Sequence, residues 1–381
     1  MPTPPQQGRR RWLAGATGLG ALAVAGGGAA AYLRSRDNAA YAAALAESRA
    51  PATAGEAAQR VLVRHGAMAA NGHNAQPWRF ALLDGAIEVR PDRTRRTPVV
   101  DPDDHHLHAS LGCAVENMVQ AAPALGLHAT PSVAEEGHAR LLLDRAAVIE
   151  GPLSAAIPRR QSTRTEYDGA PLPTSELRAL EAAGRGDGVE VVLVTDDVRR
   201  ETLLDLVVAG NASQMRDPAF VAELLAWVRF SPAEAVARRD GLFAGSSGNP
   251  AVPAPLGRLL FPHVFTLAAE TDRHVRQMRS SAGLAIFVAE RNAPTGWLQA
   301  GRCAQRFCLQ ATALGIRTAW MNQPVEVPGL RAALAAWIGA GPRRPNLVLR
   351  FGRGPELTPS LRRPVAEILV ADGRSGRTRA A

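Results

Sequence analysis

Three short segments carry the residue types that could do chemistry. The first, Asn71-Gly72-His73-Asn74-Ala75-Gln76-Pro77-Trp78, crowds amides and a histidine ahead of a Pro-Trp pair. Asn74 and Gln76 each offer a donor and an acceptor on one arm. That suits a heterocycle or polyol whose edge alternates the two; a capped turn around a buried tryptophan is the alternative. The second segment is Arg159-Arg160-Gln161-Ser162-Thr163-Arg164. Arg160 and Arg164 are four apart, so on a helix or tight turn they face the same way. Ser162 adds a hydroxyl, and guanidinium forks match phosphate oxygens. A solvated basic linker is the commoner fate of such a run. The third segment, Leu349-Arg350-Phe351-Gly352-Arg353-Gly354, puts two arginines and two glycines at a strand end. There they could close over the same phosphate, or simply form a strand exit.

Together these segments resemble the nitroreductase superfamily of FMN enzymes. In that family an Arg-x-Ser-x-Arg element opens the domain and binds the FMN phosphate and ribityl chain. A Ser-x-x-Asn-x-Gln-Pro-Trp element follows, and basic residues near the C-terminus finish the phosphate site. The usual protein is a homodimer with FMN at the subunit interface. Here the order is inverted: His73 to Trp78 lies in the first half, and Arg160 to Arg164 opens the second. The first half has no Arg-x-Ser-x-Arg and the second no Asn-x-Gln-Pro-Trp. The complementary parts imply one composite site, which resembles the fused, pseudo-dimeric Acg-type subfamily. Further matches are Arg239-Asp240-Gly241-Leu242, Gly296-Trp297-Leu298-Gln299-Ala300-Gly301, and Gln323-Pro324-Val325-Glu326 with Arg331. The Pro-Ser expected before the His-Asn pair is Ala70-Asn71 here, so Asn71 stands in for a hydroxyl.

The resemblance implies FMN bound by Asn71, His73, Asn74, Gln76, Pro77 and Trp78 around the ring system, and by Arg160, Ser162, Arg164, Arg350 and Arg353 at the phosphate. It implies two-electron flavin chemistry between a small-molecule donor and acceptor, with the protein supplying position and electrostatics. No protein nucleophile is required. FMN rather than FAD is expected, because nothing resembles a Gly-x-Gly-x-x-Gly turn.

These residues need elements to position them. Apolar periodicity predicts helices over 56–69, 108–126, 174–184, 198–215, 217–227, 272–281, 297–315 and 328–337. It predicts strands over 78–83, 87–91, 140–144, 189–195, 283–289, 317–322 and 347–351. Their interleaving argues an α+β fold of α/β-type three-layer construction, with two nitroreductase-like halves over 37–157 and 158–370. Residues 37–55 read as an Ala-rich linker or first helix. Leu111, Val115, Met118, Ala122 and Leu125 follow 4-3-4-3 spacing and end at Gly126; Ala300, Ala304, Phe307, Ala311 and Leu314 repeat it and end at Gly315, 315 − 126 = 189 residues on. Both are apolar helices closed by glycine. The Gly- and Pro-rich stretch over 230–261 reads as an insertion that could cover the flavin as a lid. A lid would also exclude nicotinamide, so a flavin-holding or stress-related protein with little turnover is the second functional reading.

The chain begins with an address. Arg9-Arg10-Arg11-Trp12-Leu13 precedes an uncharged, Gly- and Ala-rich run from Leu13 to Tyr32, followed by Arg34 and Arg36. This is the twin-arginine export pattern. It makes residues 1–36 a signal, or a membrane anchor, since about 20 apolar residues can span a bilayer. The twin-arginine translocase becomes a partner and the cell envelope or exterior the location. Residues 371–381 read as a disordered tail. The formal charge of +9 comes from 44 basic residues, all of them arginine, which points to genome composition rather than to a nucleic-acid surface. Three cysteines make no disulfide framework. Asp101, Asp103, Asp104, His105, His106 and His108 form a dense cluster whose spacing fits no common zinc pattern; acidic groups at a helix N-terminus explain it more simply.

Overall fold

The computed structural model describes residues 35–370 apart from residue 187. The expected signal or anchor over 1–36 lies outside the described residues except for residues 35 and 36, which are helical, and the tail over 371–381 lies outside them. The chain opens with helix α1 over 35–48. The first half follows with α2 (Ala58–Ala67), β1 (Trp78–Leu83), β2 (Ala86–Pro91), α3 (His105–Ala121), β3 (Leu127–Val133), β4 (Ala139–Arg145) and α4 (Pro152–Ala156). The second half starts with α5 (Thr174–Gly184) and β5 (Val189–Val194). A long excursion comes next: α6 (Asp197–Met215), α7 (Pro218–Trp227), β6 (Val228–Arg229), α8 (Pro232–Arg238), β7 (Leu242–Phe243), α9 (Ala254–Val264) and α10 (Leu267–Arg279). It closes with β8 (Gly283–Ala289), α11 (Pro294–Ala313), β9 (Arg317–Trp320), α12 (Gln323–Glu326), α13 (Pro328–Trp337), β10 (Pro345–Gly352) and α14 (Val365–Ile368).

The two halves share one plan. The first sheet runs β1-β2-β4-β3 and the second β5-β8-β10-β9, both antiparallel throughout. In each, two strands precede a long central helix and two follow it. The halves differ between their first two strands. Asp84-Gly85 joins β1 to β2 in a two-residue turn, with Gly85 at φ 61. Between β5 and β8 lies the whole excursion α6–α10. The central helices α3 and α11 begin at His105 and Pro294, 294 − 105 = 189 residues apart, and Gly126 and Gly315 after them both take positive φ. The helices approach so closely at Gly112 and Gly301 that a Cβ on either would sit 1.9 Å from a carbonyl oxygen of the other helix.

The second sheet has three-layer construction. In β8, Ala285 and Phe287 face α5 and α11, while Leu284, Ile286 and Val288 face Leu203, Val207, Met278 and Leu334 of the opposite helix layer. The first sheet is covered on one face. Along β4, buried Ala139 and Leu141 alternate with exposed Arg140 and Leu142. Chain ends cross between halves: Phe80 of β1 bridges Leu369, and α1 packs Tyr41 and Ala44 against Ala235, Phe243 and Leu361.

Several expected boundaries move for local reasons. The helix expected over 108–126 is α-helical only to Ala121, because Pro123 gives no amide and the chain tightens to 3-10 over Ala122–Leu125. Strand β3 escaped the pattern because Pro131 interrupts it, a residue tolerated at a sheet edge such as this one. The 230–261 stretch contains two helices, α8 and α9, with prolines in their first turns. Helix α10 starts at Leu267, where the Thr266 hydroxyl accepts from Ala269 N.

Candidate functional site

The Asn71–Trp78 segment links α2 to β1 through a tight, strained turn. His73, Asn74 and Gln76 all take φ between 50 and 55, a region costly for residues with a Cβ and typical of functional loops. Its hydrogen bonds explain how the strain is held. Asn71 Oδ1 accepts from Gln76 N at 2.8 Å. Asn74 Nδ2 donates to Gly241 O and Leu361 O, and its Oδ1 accepts from Arg362 at 2.9 Å. Gln76 Nε2 donates to Arg239 O at 2.8 Å, and its Oε1 accepts from Arg363 N at 2.9 Å. The turn is thus a clasp that binds residues 239–241 and 361–363 to the first half.

Beside the clasp lies a narrow basic recess of about 40 Å³. Arg49, Arg160, Arg164 and Arg362 line it together with Asn71, Asn74, Ser162 and Ser246, and no carboxylate is among its lining residues. Arg362 is held by the carbonyls of Ala67, Met68 and Ala69. Arg49 donates to Pro158 O and Ser360 O. Arg160 is buried; it donates to Met68 O at 3.1 Å, and its Nε has no partner. The Arg164 guanidinium makes no hydrogen bond or ion pair among the described residues. Burial first, and then Arg160, pull Arg49 down to about 10; burial and then Arg273 and Arg350 pull Arg164 down to about 10. Arg160 and Arg362 are lowered by burial as well, Arg362 further by Arg160 and Arg49. Arginines stay protonated in proteins, so this is a knot of like charges, Arg160 and Arg362 buried and Arg49 and Arg164 half-buried, with no carboxylate lining it.

The recess opens into a chamber of about 600 Å³, and the two share Ala70, Asn71, Arg164 and Leu242. The chamber is mostly apolar, with Phe230, Phe261 and Phe265 on one wall and Trp320 and Met321 on another. Its polar groups include His73, His106 and Glu326. His73 is pushed down to about 4 by burial, then by Arg164 and His106, so it stands neutral. His106 Nε2 lies 3.4 Å from Glu326 Oε1; burial lowers the imidazole and raises the carboxyl. A concave apolar chamber with a few convergent polar groups and a basic end suits a planar ring carrying a phosphate.

Of the residues expected at the cofactor, Asn71, His73, Asn74, Arg160, Ser162 and Arg164 line this recess or chamber. The others lie off it. Gln76 has both amide ends bound in the clasp, and the Asn74 amide, although at the recess, is bound in the same way. Pro77 gives its carbonyl to Asp92 N. Trp78 is fully buried beside Phe80 in the first core. Arg350, expected at the phosphate, is fully buried instead, donating to Gln277 O, Thr163 O and Thr165 O and stacking on Tyr167 with 4.0 Å to the ring centroid. It braces the Arg160–Arg164 segment from behind. Arg353 pairs with Glu176 at 2.6 Å. Their place is taken by Arg362, ten residues beyond the β10 exit, and by Arg49. An Arg-Arg-Pro run marks Arg362 in the sequence; nothing there marks Arg49. In the acidic and histidine cluster it is Asp101, not Asp103 or Asp104, that caps α3, accepting from His106 N and Leu107 N. Asp103 pairs with Arg344, and Asp104 with Arg93 and Arg96.

No family model matches the chain. Two Mycobacterium tuberculosis proteins, both named "Putative NAD(P)H nitroreductase", align over most of it. Rv3131 is 28% identical over 78% of this chain and 86% of its own length; acg is 26% identical over 78% of this chain and 90% of its own. The chain is similar to these nitroreductases across both halves. Among solved structures, an FMN-bound nitroreductase from Bacteroides fragilis covers 58% of this chain and 100% of its own at 15% identity and TM-score 0.36. The FMN-dependent nitroreductase NfnB from Mycobacterium smegmatis, in complex with NADPH, covers 53% of this chain and 87% of its own at 16% identity and TM-score 0.35. The described residues contain no group of three or more His, Cys, Asp or Glu placed to hold a metal ion.

Proposed function

We propose that the chain is an FMN-binding oxidoreductase of the nitroreductase type, with one cofactor site built jointly by two fused halves. The observation that carries this is the knot of Arg49, Arg160, Arg164 and Arg362, lined by no carboxylate, at the end of an apolar chamber. The residues fit the cofactor: the unpartnered Arg160 Nε and the free Arg164 fork would take its phosphate with Ser162, and Asn71 and His73 would lie along the ring system. When bound, FMN supplies two-electron transfer. The chain's own residues neutralise the phosphate, exclude water with the phenylalanine wall, and hold protons at His106 and Glu326.

The fused pseudo-dimer is supported by the shared sheet order and the reciprocal glycine contacts of α3 and α11. An Acg-type assignment is supported by the alignment to acg across both halves. The names of those relatives suggest NAD(P)H as donor. Export to the cell envelope by the twin-arginine translocase is supported by the Arg9–Tyr32 pattern alone. A cofactor-holding protein of low turnover remains the second reading, favoured by the wall where Gly257 is pressed onto the Phe230 ring.

An absorption spectrum with acid release and identification of the bound flavin tests the cofactor. Anaerobic NADPH or NADH then tests turnover: flavin bleaching supports the oxidoreductase, and bleaching by dithionite alone supports the holding protein. Colourless protein that FMN cannot reconstitute overturns both.

A further inference from the structure

Helix α9 is apolar on both of its sides. Its inner side carries Gly257 and Phe261, with Phe261 edge-on to Phe230 and stacked on Phe265 at 4.7 Å. Phe261 lines the chamber, and Leu260 and Val264 stand at its open mouth, lining it while 41% and 64% exposed. Its outer side carries Leu256, Leu259, Leu260 and Val264, of which Leu259 is 68% and Val264 64% exposed. Spacings of three, four and eight residues from Leu256 put them in one stripe. These are four of the nine large exposed apolar side chains among the described residues, gathered on one eleven-residue helix. Singly exposed leucines need no explanation, but a contiguous stripe marks a surface that meets something apolar. The helix carries no acid; Arg258, in its middle, pairs with Glu234, and exposed His263 interrupts the stripe between Leu260 and Val264.

The chain itself indicates what covers this stripe. The uncharged run Leu13–Tyr32 ends three residues before α1 begins at 35. Tyr41 of α1, about 9 Å further along that helix, packs on Ala235 and Phe243, which belong to the same excursion as α9. If the Leu13–Tyr32 run is retained in a bilayer, α1 tethers this excursion within reach of the bilayer surface. Helix α9 is too short to cross a bilayer, and no described helix is long and apolar enough to do so. Its stripe and its lack of acidic residues match a helix lying in the interfacial plane.

We propose that α9 lies in the plane of a lipid bilayer, with Leu256, Leu259, Leu260 and Val264 among the acyl chains, so that one wall of the chamber rests on the membrane. This needs no flavin and stands whether or not the cofactor reading holds. The three cysteines are buried, so a Leu259→Cys variant of the full chain takes one environment-sensitive fluorophore at that position. Val198→Cys, at a 76% exposed site on α6, is the comparison. Both are added to vesicles of phosphatidylcholine and phosphatidylglycerol, and each is quenched with aqueous iodide and with a lipid-borne nitroxide. The expected result is a blue shift and severalfold protection from iodide at 259, with quenching by the nitroxide, and neither at 198. Adding Leu256→Glu and Val264→Glu should restore iodide access at 259 while circular dichroism is unchanged. Equal iodide access at both positions on vesicle-bound protein overturns the proposal. So does protection at 259 without vesicles that grows with protein concentration, because a second copy would then cover the stripe.

Discussion

Gly112 and Gly301 exchange contacts: Gly112 meets the carbonyl of Leu298, three residues before Gly301, and Gly301 meets the carbonyl of Ala109, three residues before Gly112. The offset is the same both ways, 301 − 112 = 189 and 298 − 109 = 189. This is the residue i to j, j to i reciprocity of a two-fold interface, here within one chain. Each Cβ would lie 1.9 Å from backbone that cannot move aside. Gly112→Ala and Gly301→Ala should therefore each destabilise the protein by about 1–3 kcal/mol or more, by similar amounts. Gly72→Ala, where a Cβ meets nothing within 4 Å, should cost little. Urea unfolding of the three variants checks this, and unequal losses at 112 and 301 would count against equivalence of the halves.

The Arg164 guanidinium pairs with no carboxylate among the described residues, so its removal should separate stability from binding. Arg164→Met relieves repulsion with Arg273 and Arg350, so the apo protein should be as stable as the parent or more so. FMN affinity should fall roughly 10- to 100-fold, the worth of a charge-assisted bond, with riboflavin binding nearly unchanged because only the phosphate is lost. Arg353→Ala, at the Glu176 pair, should leave both alone. Flavin fluorescence titration against thermal unfolding reads each outcome.

Much of this arrangement was legible because it rests on local pattern. The 189-residue echo reports the two central helices, and Arg160, Ser162 and Arg164 reach the recess because a short segment keeps spacing and direction together. What was not legible rests on long-range closure. Gln76 looks like a ligand because its amide is versatile, yet residues 239 and 363, far away in sequence, use up both ends. Arg350 and Arg353 looked right by distance from the C-terminus, but side chains alternate along β10. Arg350 points into the gap beneath Thr163, while Arg353, past the strand, meets Glu176. Arg49 became visible only once Tyr41 seated α1 against the excursion.

His73 should shape the acid limb of stability. Its folded value of about 4 lies below the ordinary 6.5, so between those values the unfolded chain binds more protons than the folded one. Stability from this group is complete above about 6.5 and is lost as pH falls toward 4. Asp101, raised to about 6 by burial, acts in the opposite sense over nearly the same range, so the whole-protein profile mixes the two. The informative quantity is the difference between parent and His73→Asn: the variant should lose less stability between pH 6.5 and 4.5, by up to a few kcal/mol. Parallel urea-midpoint profiles for the two proteins would show that His73 is not held neutral.

The clasp can be tested through Gln76, which touches no part of the recess. Gln76→Ala strands the half-buried Arg239 carbonyl and the buried Arg363 amide, at a cost of up to about 1–3 kcal/mol per unsatisfied buried group. The strained φ values at His73 and Asn74 then lose one of the bonds that hold them. Arg362 follows Leu361 and precedes Arg363 on the released segment, so its grip on Asn74 should loosen too. The variant should unfold at lower temperature, cut faster under limited proteolysis near residues 239–241 and 361–363, and bind FMN more weakly although no ligand-facing atom was removed. Saturating FMN should recover part of the lost Tm, since binding to the folded form alone stabilises it. A variant that binds FMN like the parent while showing the stability loss would place the clasp outside the binding machinery and leave Arg362 positioned by the carbonyls of Ala67, Met68 and Ala69 alone.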